Sequence, residues 1–290
     1  MRPACRSLRA VLPALFNAAV LCVLPTGAFA QAQPDAEARC NDGDGYACLT
    51  AGLALATRDI SDPAVTRAAP FLRRACDSGV PRGCAELGLL YERGHGVEQD
   101  SKLAASLLLR ACQGGFAPGC TELGVLYQRG TSVNVDEARA AALYQQGCDG
   151  GDPSACRRLA AQYANGGGVI KDIDRADALY VRSCELGEPR SCVILAILIE
   201  NGQTRRRDLP RAAALYRQAC DADDALGCYN LAGMYWEGRG VKRSEDYALD
   251  LYAKACAMSA SNLACRAGPG IPLGSPIGRM GDDFLEVKTE

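Results

Sequence analysis

The chain has 290 residues, 48% of them hydrophobic and 23% charged, and a formal net charge of −2, so its bulk composition offers nothing to attract nucleic acid or an anionic membrane. Sixteen cysteines beside the single histidine, His95, exclude a Cys/His zinc centre. They are also far more thiols than a reducing cytosol sustains, which points to an oxidising compartment.

The first thirty residues point the same way. Arg2, Arg6 and Arg9 precede an apolar run from Ala10 to Leu24, and Ala28-Phe29-Ala30 is a small-residue cleavage site. This is the layout of a signal peptide over residues 1–30, with a mature chain starting near Gln31, secreted or periplasmic. The run is broken by Pro13 and Asn17 and falls short of the about twenty apolar residues a bilayer requires, so no transmembrane segment is expected. Because the segment carries arginines and no acids, the alternative is a mitochondrial presequence and an intermembrane-space location.

From residue 31 the chain repeats itself. Cys40, Cys76, Cys112, Cys148, Cys184, Cys220 and Cys256 recur every 36 residues, and Cys48, Cys84, Cys120, Cys156, Cys192 and Cys228 do the same, with Cys265 one residue late. Strict self-similarity at this period predicts a solenoid, here over residues 31–267. Each unit reads as two helices. Helix A runs from about the second cysteine, as in Cys84 to Tyr91, with Leu87, Gly88 and Tyr91 at helical spacing. After the turn Gly94-His95-Gly96-Val97, helix B starts at Asp100, a good N-cap, and runs to Cys112.

Aligned at the cysteines, Ala68, Ala104, Ala140, Ala176, Ala212 and Ala248 are always alanine, and Gly52, Gly88, Gly124, Ala160, Ala196 and Ala232 are always small. Leu123, Leu159, Leu195 and Leu231 from helix A, with Phe71, Leu107, Leu143, Leu179, Leu215 and Leu251 from helix B, are the expected large partners of an interdigitated packing. Gly79, Gly115, Gly151 and Gly187 stand where helix B must stop, and Pro81, Pro118, Pro153 and Pro189 where the next helix can begin. Pro70 predicts a kink or a late start in the first unit's second helix, and the fifth unit is irregular, with Ile199 for the tyrosine and Gln203 to Arg207 in the turn. A short closing helix is expected around Ala260 to Ala267, then an extended, acidic tail, 268–290.

Fourteen cysteines remain after the signal segment, and two regular pairings fit their spacing. Joining across the short turn, Cys40 to Cys48 and onward to Cys256 with Cys265, uses every cysteine. Joining within a hairpin, as Cys48 to Cys76, strands Cys40 and Cys265. The first is expected.

The stretches Leu87-Gly88-x-x-Tyr91-x-x-Gly94-x-Gly96-Val97, Leu159-Ala160-x-x-Tyr163-x-x-Gly166-x-Gly168-Val169 and Leu231-Ala232-x-x-Tyr235-x-x-Gly238-x-Gly240-Val241 resemble the Sel1-like repeat, a relative of the tetratricopeptide repeat. Together with the cysteine spacing, they resemble its cysteine-rich secreted branch, typified by the Helicobacter cysteine-rich proteins. The resemblance implies an all-α, right-handed α/α solenoid of about six helical hairpins that holds a protein or peptide partner in a concave groove. It also implies an alternative: a penicillin-binding protein with weak β-lactamase activity, taking a β-lactam or peptidoglycan-related ligand.

Whether the chain is an enzyme is left open by its residues. No S-x-x-K, S-D-N or K-T-G element of a serine β-lactamase occurs, and His95 lies in a glycine turn with no nucleophile beside it in sequence. No cofactor motif is present; Gly166-Gly167-Gly168 falls in the repeat turn. Positions of helix A that change identity from repeat to repeat are the candidate binding surface. One register holds Thr50, Glu86, Glu122, Arg158, Ile194 and Asn230, and another Glu92, Gln128, Ala164, Glu200 and Trp236. Glu86, Glu122, Arg158, Asn230 and Trp236 are the residues selected, Trp236 as the lone tryptophan and candidate hot spot.

Overall fold

The computed structural model describes residues 36–57, 63–130, 134–204 and 207–258. The expected signal segment, Arg58 and Ser61 (which stand in the first unit for the glycine and valine of the later turns), Arg205 and Arg206, the expected helix around Ala260 to Ala267, Cys265 and the tail 268–290 lie outside them. After a helical turn at 36–41 the chain forms six hairpins. They pair α1 (Gly45–Ala56) with α2 (Ala68–Asp77), α3 (Pro81–Arg93) with α4 (Ser101–Gln113), and α5 (Ala117–Arg129) with α6 (Glu137–Asp149). Then come α7 (Pro153–Asn165) with α8 (Ile173–Glu185), α9 (Pro189–Glu200) with α10 (Leu209–Asp221), and α11 (Ala225–Glu237) with α12 (Glu245–Met258). Among the described residues every regular element is helical.

The helix boundaries follow from local chemistry. The even helices from α4 to α10 start at Asp100, Asp136, Asp172 and Asp208, each carboxylate accepting the backbone N–H three residues on. That satisfies a donor the helix cannot. The odd helices α3, α5, α7 and α11 end at Gly94, Gly130, Gly166 and Gly238, all left-handed with φ of 68–82°. Pro70 produces the late start: a 3₁₀ turn, Pro63–Arg67, replaces the first turn of α2, which spans only 10 residues. In the fifth hairpin α9 stops at Asn201 in right-handed geometry, and the left-handed glycine moves to Gly202.

The second glycine of the turn has a different reason. A Cβ on Gly96 would lie 2.7 Å from the Val65 carbonyl oxygen, and one on Gly168 only 2.2 Å from that of Glu137. Each turn therefore rests on the start of the preceding even helix, where no side chain fits. The opposite ends are clasped covalently. Cys40–Cys48 ties the leading turn to the first hairpin, and Cys76–Cys84, Cys112–Cys120, Cys148–Cys156, Cys184–Cys192 and Cys220–Cys228 are disulfides across the turn between consecutive hairpins. Cys256 is also disulfide-bonded. On the chain-entropy model each nine-residue ring contributes roughly 2.5 kcal/mol.

The core is a row of thin layers. In the even helices the fully buried column is Leu72, Leu108, Tyr144, Tyr180 and Tyr216, one residue beyond the Phe71–Leu251 register expected to fill it. Phe71, Leu107, Leu179 and Leu215 are half-buried instead. The rule of small against large holds: the position of a Cβ on Gly124 is 2.7 Å from the Tyr144 ring. Burying each such large side chain contributes about 1.5–3 kcal/mol.

Successive odd helices touch, α1 on α3, α3 on α5, α5 on α7 and α9 on α11, while successive even helices make no comparable backbone contact among the described residues. The odd helices therefore form the inner wall of a curved stack. The even helices on the outer wall are bridged by long cations instead. Arg74 donates to the Cys40 carbonyl, Arg110 to that of Cys76 at 2.8 Å and Lys254 to that of Cys220 at 2.8 Å, each capping the helix end one repeat back.

Candidate functional site

Helices α3, α5 and α7 present a cleft of about 440 Å³ on the inner wall. Leu89, Val125 and Leu126 lie along it with Leu108 beneath, and its charged groups are Glu92 and Arg93 from α3, Glu122 and Arg129 from α5, and Arg158 from α7. The opening follows from one column: Leu108 stands where the next three hairpins carry the longer Tyr144, Tyr180 and Tyr216. In two of those repeats the tyrosine hydroxyl reaches an acceptor sixteen residues earlier, Tyr144 donating to Gln128 Oε1 at 2.8 Å and Tyr216 to Glu200 Oε2 at 2.9 Å, while the same place before Tyr180 is Ala164. Glu92 holds the same register opposite Leu108, which has no hydroxyl to offer.

The cleft's charges are partly desolvated. Burial raises the Glu122 carboxyl above its ordinary value, against the opposing pull of the Arg158 and Arg93 guanidinium groups. Arg93 pairs with its neighbour Glu92 at 3.7 Å. Arg158 lies over the Tyr144 ring at 6.0 Å, and its Nε is buried without a hydrogen-bond partner. One turn further on the same face of α7, Gln162 is 4% exposed, with neither amide atom partnered. The equivalent residues in neighbouring hairpins are Leu90, Leu126, Leu198 and Met234.

Of the residues selected from sequence, Glu122 and Arg158 meet in this cleft, joined by Glu92 of the second register. Glu86 lies on α3, half-buried and accepting from Arg82 Nε at 3.3 Å, and does not line the cleft. Asn230 and Trp236 lie on α11; Asn230 is 9% exposed and Trp236 packs against the core of the last hairpins. Glu200 is 5% exposed and serves the fold, accepting from Tyr216 and pairing with Arg239. His95 is half-exposed in its turn, its backbone N–H donating to the Leu90 carbonyl at 3.0 Å. Among the described residues no group of three or more His, Cys, Asp or Glu is placed to hold a metal.

Five consecutive copies of the Sel1 repeat family model match residues 81–116, 117–152, 153–188, 189–224 and 225–259. The chain belongs to the Sel1 repeat family. The unit before residue 81, outside those matches, is the one whose second helix Pro70 shortens. Among solved structures, a protective antigen present in uropathogenic Escherichia coli strains, displaying an SLR fold, is similar with TM-score 0.69 and 27% identity. That likeness covers 83% of this chain and 54% of the antigen, so the chain spans about half of the antigen's length. A Sel1 repeat protein from Oxalobacter formigenes is similar with TM-score 0.69 at 23% identity, over 80% of this chain and 97% of its own. Helicobacter pylori cysteine rich protein B shares 26% identity over 48% of this chain and 99% of its own, with TM-score 0.39. Among curated proteins none matches the chain.

Two features of these Sel1 repeats escaped the sequence reading. Arg93 and Arg129 close their helices as ordinary C-terminal cations, and nothing in one repeat marks them as facing a neighbour's cleft. The change from leucine to tyrosine in the even-helix column was the readable signal. It stands four residues before the first cysteine of each unit: Leu72, Leu108, Tyr144, Tyr180, Tyr216, Tyr252.

Proposed function

We propose that this Sel1 repeat chain is an extracytoplasmic scaffold that holds a protein or peptide partner along the inner wall of its odd helices. The observation that carries the reading is the α3–α5–α7 cleft, where charged side chains from three consecutive repeats converge and Arg158 keeps an unused, buried donor. A polar group buried without a partner costs about 1–3 kcal/mol, which a bound acceptor recovers. Disulfides at every described junction support an oxidising compartment, since reduction would remove the staples of thin layers. The expected export signal in residues 1–30 agrees with that reading.

The test is affinity capture from the source envelope fraction with oxidised full-length protein. Three baits are compared: the parent, Arg129→Glu/Arg158→Glu on the inner wall, and Ser106→Glu/Ala142→Glu on the outer. Partners retained by the parent and the outer variant but lost by the inner one are expected. Equal retention by all three overturns the proposal.

A further inference from the structure

The chemistry of the cleft narrows the class of partner. Arg93 is engaged by Glu92, whereas neither Arg129 nor Arg158 has a carboxylate within ion-pair distance among the described residues. Three guanidinium groups face two carboxylates, so the cleft carries one net positive charge, and Glu122 is the acid closest in sequence register to Arg158. That balance suits one carboxylate at a time; Glu92 and Glu122 oppose a dianion such as phosphate. The size points beyond a free ion as well, because about 440 Å³ is several times the space a single carboxylate fills.

We propose that the cleft binds an aspartate- or glutamate-bearing peptide segment of a partner protein, the side-chain carboxylate seated between Arg129 and Arg158. This rests on the inner wall being the binding face. The Arg158 fork donates Nε–H and Nη–H to the two carboxylate oxygens, the bidentate arrangement that guanidinium favours. Arg129 at the rim contributes the second charge. Leu108 sets the depth, since a tyrosine there would place its ring in the cleft and its hydroxyl on Glu92, as Tyr216 places its own on Glu200.

The variant Leu108→Tyr is therefore the sharpest probe. It is compatible with folding because Gly88 faces position 108 as Gly124 faces Tyr144, leaving room for the ring. An array of random twelve-residue peptides is incubated with oxidised full-length protein, and binders are re-measured by fluorescence anisotropy. The expected binders are enriched in Asp and Glu and weaken at least tenfold when those residues become Asn and Gln. They also weaken at least tenfold in Arg129→Gln, in Arg158→Gln and in Leu108→Tyr, with circular dichroism unchanged. Binders without acidic enrichment, or acidic binders indifferent to all three variants, overturn the proposal, as does equal competition by inorganic phosphate. A tenfold gain in affinity on removing residues 268–290 also overturns it, by making the chain's own acidic stretch, Asp282, Asp283 and Glu286, the occupant. If envelope capture still depends on the inner wall while the array shows no acidic preference, only this narrower inference falls.

Discussion

Ala111 and Gly119, each one residue before a cysteine of the same disulfide, share a space that holds a single methyl: a Cβ on Gly119 would lie 2.8 Å from that of Ala111. The neighbouring junctions keep the same sum. Ala75 faces Gly83, Ala219 faces Gly227, and Gly147 faces Ala155 with the order reversed. The junction between α8 and α9 departs, with Ser183 and Ser191 in hydrogen-bond contact at 2.6 Å and Ser183 donating to the Pro153 carbonyl at 2.7 Å. Close helix approach beside the staple is thus a property of the pair. Gly119→Ala should cost about 1–3 kcal/mol by overpacking. The exchange Ala111→Gly/Gly119→Ala should recover most of it, as read by urea midpoints of the oxidised protein.

Space and backbone conformation separate at two glycines. Gly151 has φ 87° and open surroundings, whereas Gly168 has φ 68° and lies against the start of α6. Gly151→Ala should cost about 1–2 kcal/mol, the strain of a left-handed alanine. Gly168→Ala adds a clash with backbone and should cost roughly twice that or more. Thermal melts of the two variants side by side would show the difference, and equal losses would mean that the turn does not rest on the preceding helix.

Glu200 joins the ninth helix to the tenth through Tyr216 and to the turn after the eleventh through Arg239. Arg239 is a quarter exposed and keeps Glu237 at 2.5 Å, so the main loss in Glu200→Ala is the buried acceptor of the Tyr216 hydroxyl, and the variant should destabilise by about 1–3 kcal/mol. Glu200→Gln retains an acceptor for the Tyr216 hydroxyl and should lose less. Chemical denaturation of both variants checks the order.

The buried tyrosine column sets an alkaline limit. Burial pushes the Tyr144, Tyr180 and Tyr252 hydroxyls up to about 12 and raises that of Tyr216 as well, from an ordinary value of 10.0. A raised folded value means that the native state holds the proton more tightly than the unfolded chain. The associated stability is complete below about pH 10 and is lost as pH rises through 12. Melting temperatures should fall across that window, and Tyr180→Phe should flatten the fall. Phenolate absorbance should show these rings ionising only as the helices unfold.

The architecture was legible because a 36-residue cysteine period is a covalent ruler, and the caps repeat with it. The candidate cleft was legible only in part. Variation along helix A picked out Glu122 and Arg158, which do meet, but the same registers also hold Asn230 and Glu200, which are buried. Register gives direction around one helix, whereas burial depends on what the neighbouring hairpin brings. Glu200 is drawn inward because Tyr216 needs an acceptor, while Glu92 faces Leu108 and stays in the cleft.

The claim that the odd helices form the working face is tested most directly by a photo-crosslinking amino acid placed singly at 86, 122, 106 and 142 in the oxidised protein, irradiated in the source cell envelope. Crosslinked partner from positions 86 and 122 on the inner wall, with none from 106 and 142 on the outer, is the predicted result. Crosslinks arising mainly from 106 and 142 would contradict it.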